Sequence, residues 1–150
     1  MTTLKLDDFL PYRLSIASNR VSAAVATAYR ALFGLSIPQW RLIAVIAEGE
    51  GLTQQALGAA TRMDKVTVSR AAVALVERGL IERRANPGDA RSHLLSLTRE
   101  GRALYESVAP KALALEAEIF AGFSRAELGA FAAMLDRIEA AAAAIDPERG

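Results

Sequence analysis

A group of chain-breaking residues in the second half of the sequence restricts the fold more than any other feature. Asn86–Asp89, with the sequence Asn-Pro-Gly-Asp, stands between two short runs that each contain apolar residues. These residue types favour chain reversal. The flanking runs, Leu80–Arg84 and Leu94–Leu97, have strand length and are expected to pair as a β-hairpin. Elsewhere the apolar spacing is helical, so the predicted fold class is mainly α with a small β-hairpin (α+β).

Two short helices with good capping residues come directly before the hairpin. Thr53 can cap a helix over Gln54–Ala60, and Asp64 can cap a second helix over Lys65–Arg78. Two helices joined by a tight turn and followed by a hairpin form a winged helix-turn-helix, in which the hairpin is the wing. We therefore predict a winged helix-turn-helix domain over residues 36–102, with double-stranded DNA as its partner.

Amphipathic helices are also predicted on the N-terminal side of this domain. Apolar residues recur every three or four positions from Asp8 to Phe33, which predicts one continuous helix that stops at Gly34. Ser36 and Gln39 then form a capping box that opens a helix ending near Gly49.

The C-terminal third is predicted to form two more helices. The first runs from Thr98 to Phe120, and Pro110 within it is expected to kink the helix or to remove one hydrogen bond. Ser124 and Glu127 form a second capping box, which begins a last helix that extends to Ile145.

The terminal helices are long for a small winged domain. A domain of about 60 residues cannot cover all of their apolar stripes, so a partner is needed. A two-fold axis would supply one, and we predict a homodimer in which residues 1–35 and 103–150 form the helical dimerisation region. In the alternative, the chain is a monomer whose terminal helices cover each other.

Charge is unevenly distributed along the chain, although the formal net charge is only +1. The net charge is +1 over residues 1–61, +4 over residues 62–102 and −4 over residues 103–150. A basic middle segment suits a polyanion. Only three of the 18 basic residues are lysine, and guanidinium groups suit phosphates and guanine edges. A compositional bias of the source genome would explain that preference equally well.

The second short helix has an unusual outward face. At about 100° per residue, Val68, Ala71, Ala72 and Leu75 share one side and are expected to face the core. The opposite side carries valine, threonine, serine and arginine, which suit the edges of bases in a major groove. The alternative is an ordinary surface helix with two exposed valines. The candidate residues of this face are Val66, Thr67, Ser69, Arg70 and Val73.

The hairpin is rich in arginine. Arg83, Arg84 and Arg91 flank or occupy its tip, where a wing can follow the DNA backbone and insert one arginine into the minor groove. Asp89 lies two residues before Arg91, and we expect its carboxylate to hold the guanidinium of Arg91 in one pose. The alternative is a solvated run of charges. The first residues of the two short helices, Gln54 and Lys65, are candidates as well. The complete set of candidate DNA contacts is Gln54, Lys65, Val66, Thr67, Ser69, Arg70, Val73, Arg83, Arg84, Asp89 and Arg91.

A ligand site is predicted beside the first helix. Its flank carries small hydroxyls that give way to an aromatic side chain, and the second helix adds an indole and a guanidinium that can pair with a carboxylate. The candidate ligand-binding residues are Ser15, Ser18, Ser22, Tyr29, Trp40 and Arg41. In the alternative, the small residues allow close helix packing and Trp40 belongs to the core. His93, at the base of the wing, can sense pH or have no special role.

Several classes of function are disfavoured by the composition. The chain has no cysteine and one histidine, so it lacks thiol chemistry and a zinc-binding cluster. The nucleophile elbow, P-loop, dinucleotide-binding and zinc-protease motifs are all missing, so neither an enzyme nor a cofactor is expected. Neither a secretion signal nor a membrane-spanning segment is recognisable, so we expect a cytoplasmic protein with no membrane partner.

The segment Leu52–Gly101 resembles the winged-helix core of the multiple antibiotic resistance regulator (MarR) family. The resemblance includes the wing signature D-x-R…L-T, at Asp89, Arg91, Leu97 and Thr98. It implies a homodimer that straddles a palindromic operator.

The resemblance also implies roles for individual residues. Thr67, Ser69 and Arg70 would lie in the major groove, and Arg91 in the minor groove. Members of the family usually repress neighbouring genes and release DNA when a small aromatic or phenolic ligand binds. The alternatives are a transcriptional activator without a small-molecule effector and a winged-helix module that binds another protein.

Overall fold

The computed structural model describes residues 2–145, which form seven α-helices and one two-stranded antiparallel sheet. A short 3-10 turn, Leu6–Asp8, precedes the first helix. The elements in chain order are α1 (Leu10–Ala26), α2 (Arg30–Phe33), α3 (Ile37–Ala47), α4 (Gln54–Thr61), α5 (Lys65–Glu77), β1 (Ile81–Ala85), β2 (His93–Leu97), α6 (Arg99–Ile119) and α7 (Arg125–Ile145). The predicted fold class is confirmed: the chain is mainly α-helical with one β-hairpin, as in a winged helix-turn-helix flanked by terminal helices.

The prediction of one continuous helix from Asp8 to Phe33 was wrong. The helix breaks after Ala26, because the backbone N–H groups of the next three residues bond to carbonyls three positions back instead of four. The Thr27 hydroxyl also donates to the Ala24 carbonyl oxygen at 2.7 Å. The break turns Tyr29 into the core, where only 3% of it is exposed. Burial of this ring decided the outcome, and apolar spacing alone does not reveal it.

The predicted helix caps are confirmed. The Ser36–Gln39 capping box opens α3, and both of its hydrogen bonds are present. Thr53 caps α4 through the backbone N–H of Ala56, and the capping box at the start of α7 also forms. Gly34, which ends α2, has a φ of 63°, a left-handed conformation that side chains with a Cβ disfavour.

The core of the winged domain is built around α3. Leu42, Ile43 and Ile46 on this helix are at most 1% exposed. α3 packs against α4, α5 and β2, so it supports both the helix-turn-helix and the wing. On α5 the buried residues are Val68, Ala71, Ala72 and Leu75, which confirms the inward face expected from helical spacing.

The hairpin pairs Ile81 with Leu97 at its base and Ala85 with His93 at its outer end. The strands therefore lie within one residue of the runs expected from the sequence. A third segment also joins the sheet. Leu52 forms an antiparallel bridge with Leu95, with hydrogen bonds of 3.0 and 2.7 Å in the two directions. This bridge fixes the wing to the segment before α4.

Two compact units divide after Leu115. The first contains α1–α5, the hairpin and most of α6, which continues through Pro110. In the second, the rings of Phe120, Phe123 and Phe131 cluster with centroid distances of 6.1 and 6.5 Å. No helix within residues 2–145 is both long enough and apolar enough to span a lipid bilayer.

Candidate DNA-binding surface

The outward face of α5 exposes apolar and basic side chains together. Val66 is 58% exposed and Val73 is 43% exposed. Arg70 and Lys65 are also exposed, and Ser69 is half-buried. Because the opposite side of α5 is buried in the core, this face is fixed in orientation and free to meet a partner.

The N-terminus of α5 is held by Asp64. One carboxylate oxygen accepts the backbone N–H of Thr67 at 2.8 Å, and the other accepts the Thr67 hydroxyl at 2.8 Å. These hydrogen bonds, with the backbone N–H of Thr67 contributing most, lower the pKa of the Asp64 carboxyl below its ordinary value. The hydroxyl proton of Thr67 is thus engaged within the cap, and the hydroxyl oxygen can still accept hydrogen bonds.

The first turns of α4 and α5 enclose an open cleft of about 480 Å³. Gln54 and Lys65, both candidates from the sequence, line this cleft with Gln55 and Gly58. The α5 face described above continues from the cleft edge at Lys65. The structure therefore brings the helix-turn-helix candidates to neighbouring positions.

The wing tip is organised by side-chain hydrogen bonds, both to the backbone and to another side chain. Asn86 donates from its amide to the Ser92 hydroxyl at 2.9 Å and accepts the Gly88 N–H at 3.1 Å. The Asp89 carboxylate accepts the backbone N–H of Arg91 at 2.9 Å. The expectation that Asp89 holds the guanidinium of Arg91 is therefore corrected: the carboxylate fixes the backbone at Arg91, because the short side chain reaches that N–H two residues on.

A second cleft, of about 370 Å³, lies between the wing and the start of α4. Arg83, Asp89, Arg91 and Gln54 line it, so four sequence candidates from distant parts of the chain meet there. Arg84 is not among them, because alternate residues of a strand face opposite sides. Its guanidinium instead pairs with Glu82 at 3.2 Å.

The ligand candidates separate into two groups. Tyr29 and Trp40 stack with ring centroids 5.5 Å apart, and Trp40 stacks in turn on Tyr105 at 5.9 Å. Trp40 is half-buried and packs against the core, as the packing alternative predicts. Burial raises the pKa of the Tyr29 phenol, although the nearby guanidinium of Arg41 acts in the opposite direction.

The remaining ligand candidates do not join this aromatic stack. Ser15 and Ser18 are exposed on α1, and Ser22 is half-buried one turn further along. Arg41 is exposed on α3, next in sequence to Trp40. The structure therefore brings Tyr29 and Trp40 together in an aromatic stack and leaves the hydroxyls of α1 outside it.

Sequence reasoning missed Tyr105 and Ser92, and it placed Asn86 in the turn without predicting its hydrogen bonds. Tyr105 lies on α6, and no local pattern links it to Trp40, which is 65 positions away. Asn86 and Ser92 carried a usable signal, because Asn and Ser in a turn commonly bond to the nearby backbone.

Comparison with known proteins agrees with this geometry. A family model described as MarR family matches residues 33–92. The HTH-type transcriptional regulator YwoH of Bacillus subtilis is 31% identical over 76% of this chain and 82% of its own length.

Two solved structures show the same fold over most of this chain. A probable transcriptional regulator from Pseudomonas aeruginosa is 32% identical, with a TM-score of 0.80 over 89% of this chain and 99% of that chain. CouR from Rhodococcus jostii, solved bound to p-coumaroyl-CoA, is 26% identical, with a TM-score of 0.80 over 91% of this chain and 95% of that chain. From these similarities and its winged helix-turn-helix, the chain belongs to the MarR family of DNA-binding transcriptional regulators.

Proposed function

We propose that the protein is a homodimeric repressor that binds a palindromic operator and releases it when a small aromatic ligand binds. The observation that carries the DNA-binding part is the outward face of α5, with Arg70 between two exposed valines, beside a wing cleft lined by Arg83 and Arg91. In this proposal α5 lies in the major groove and Arg91 enters the minor groove. Arg84 lies on the other face of the wing and contributes less.

Exposed apolar side chains support the homodimer. Apart from Val66 and Val73, the large hydrophobic side chains exposed within residues 2–145 belong to the terminal segments. They are Leu4, Leu6, Phe9, Leu10, Leu14, Ile16, Leu32, Leu113, Phe123, Phe131, Met134, Leu135, Ile138 and Ile145. Solvation of so many apolar groups is unfavourable, and a second copy would bury them.

Sedimentation across a concentration series tests the dimer. Leu10→Glu and Ile138→Glu are expected to shift the protein towards monomer, because each would place a charge in the interface. Val73→Glu is the control, since it charges an exposed apolar residue outside the terminal segments and should leave the dimer intact. If wild type sediments as a monomer at every concentration, the homodimer is refuted.

Selection of bound duplexes from a random pool tests the DNA-binding part. We expect an inverted repeat with half-site centres about 34 Å apart, and affinity that falls steeply with salt. Arg70→Ala should relax base preference at one position by about 1 to 3 kcal/mol, and Arg91→Ala should weaken binding. Arg137→Ala, on α7, is the control. Unchanged binding of both site variants would contradict the groove assignment.

An aromatic acid or its coenzyme A thioester is the proposed effector. Trp40 is half-buried, so the exposed part of its indole can contact an aromatic ligand, and the exposed guanidinium of Arg41 can pair with a carboxylate. CouR, a relative with the same fold, was solved with such a thioester.

Trp40 is the single tryptophan of the chain, so its fluorescence reports directly on this site. Titration with p-coumaric acid and p-coumaroyl-CoA should change that fluorescence. Arg41→Gln should weaken the response to the acid more than the control Arg20→Gln does. No response to either compound or to related aromatic acids would contradict this effector class.

For the effector to release DNA, it must bind the DNA-free protein more tightly than it binds the DNA-bound protein. Effector affinity measured with and without operator tests this coupling, and equal values would refute it.

A reporter gene with the operator across its promoter tests repression. Expression should rise when the regulator is deleted, whereas a fall would identify an activator.

A further inference from the structure

His93 occupies a position in the wing that the proposed function does not use. It is the single histidine of the chain, it opens β2, and its side chain is exposed. The pairing of Ala85 with His93 and of Arg83 with Leu95 places Arg83 and His93 on the same face of the hairpin. Both residues line the wing cleft.

The charged groups around His93 come from two parts of the wing. Arg83 extends from β1, and Arg91 and Asp89 belong to the tip. The Asp89 carboxylate is engaged with the backbone N–H of Arg91. The third side of the cleft is formed by the start of α4, where Thr53, Gln54 and Gln55 are polar but uncharged. The cleft therefore has an excess of positive charge even when the imidazole is neutral.

We propose that His93 is a further DNA contact, whose protonated imidazole donates a hydrogen bond to an operator phosphate and makes DNA binding tighten as pH falls. The inference rests on the proposed placement of the wing against DNA. Phosphates contacted by Arg83, beside the minor groove that Arg91 enters, would lie close to the imidazole on the same face. A phosphate close to the imidazole stabilises its charged form. DNA binding is therefore coupled to uptake of a proton by His93.

The amino-acid composition makes it easy to separate proton uptake by His93 from the titration of other side chains. Histidine is the only side-chain type whose ordinary titration falls between about pH 5 and 8, and the chain has no cysteine that could titrate nearby. A single site can change the dissociation constant by at most about tenfold per pH unit. An added phosphate contact should also steepen the dependence of log affinity on log salt by about one unit.

Fluorescence anisotropy with the selected operator duplex, synthesised without terminal phosphates, tests the proposal from about pH 5.5 to 7.5 at constant ionic strength. For wild type we expect affinity roughly three- to tenfold tighter at the acidic end, with a steeper salt dependence there. His93→Gln should bind with little pH dependence and match wild type at the alkaline end. His93→Arg should also lose the pH dependence, but it should bind at least as tightly as wild type at the acidic end.

The outcomes separate this inference from the proposed function. If wild type binds the operator and His93→Gln shows the same pH dependence, the role of His93 is refuted and the DNA-binding function stands. If wild type retains no duplex at any pH, the proposed function itself fails. Melting temperatures of the three proteins over the same pH range identify any change that comes from stability alone.

Discussion

Replacing Gly101 by alanine should destabilise the winged domain, although alanine is the better helix former. Gly101 is buried in the first turn of α6. A Cβ at this position would overlap the Leu80 carbonyl oxygen, lie 2.9 Å from the carbonyl carbon and lie 3.3 Å from a methyl group of Leu97. The obstacle is backbone, which cannot rotate away as a flexible side chain can.

The start of α6 would have to move, and two hydrogen bonds would be lost. The backbone N–H of Thr98 donates to Leu80 at 3.1 Å, and the Thr98 hydroxyl donates to the Gly79 carbonyl at 2.6 Å. Each bond contributes about 1 kcal/mol, and overpacking costs about 1 to 3 kcal/mol. Alanine recovers about 1 kcal/mol of helix propensity. The expected net loss is therefore about 2 to 4 kcal/mol.

Urea unfolding followed by circular dichroism, at one fixed protein concentration, measures this loss. A matched control is Gly129→Ala in α7, where an added Cβ meets nothing within 4 Å. That variant should gain about 0.5 to 1 kcal/mol. For Gly101→Ala the melting temperature should fall by roughly 5 to 15 °C. If Gly101→Ala is as stable as wild type, the close approach of α6 to Leu80 is not rigid and the reasoning is wrong.

Three further predictions concern individual polar groups. Ser96 is buried with no partner for its hydroxyl in the described structure, so Ser96→Ala should raise the free energy of unfolding by about 1 kcal/mol in urea titrations. The lowered pKa of Asp64 means that its stabilisation is present above the ordinary carboxyl range and is lost as pH falls through the lowered value. Asp64→Asn keeps a good cap, so its melting temperature should fall less than that of wild type on acidification from about pH 6 to 3. The Arg78 guanidinium donates to the Phe33 carbonyl at 2.6 Å, and Arg78→Met should cost about 1 kcal/mol by the same urea assay.

Much of the winged domain follows from local sequence. The caps Ser36 and Thr53 and the breaker group Asn86–Asp89 each act over three or four residues, so their effects can be predicted without knowing the fold. The inward face of α5 follows from helical spacing for the same reason. The break after Ala26 could not be predicted in this way, because it depends on the burial of Tyr29 among residues from other helices.

For the candidate DNA-binding surface too, part could be predicted from the sequence and part could not. The residue types on α5 and the arginines of the wing were visible in the sequence as a basic, partly apolar segment. Their arrangement was not visible, since the sequence does not say that Arg83 faces the cleft while Arg84 pairs with Glu82 on the other side. The role of Asp89 was also altered by a backbone bond that depends on the turn geometry.

By itself, the sequence determined where α3, α4, α5 and α7 begin, where the chain reverses, and which side of α5 is apolar, because these properties depend on neighbouring residues. Only the tertiary structure decided that Leu52 joins the wing sheet, that Tyr105 stacks on Trp40 and that α6 approaches Leu80 closely enough to require glycine. Those contacts join residues far apart in the chain, and their free energy depends on how the whole core packs.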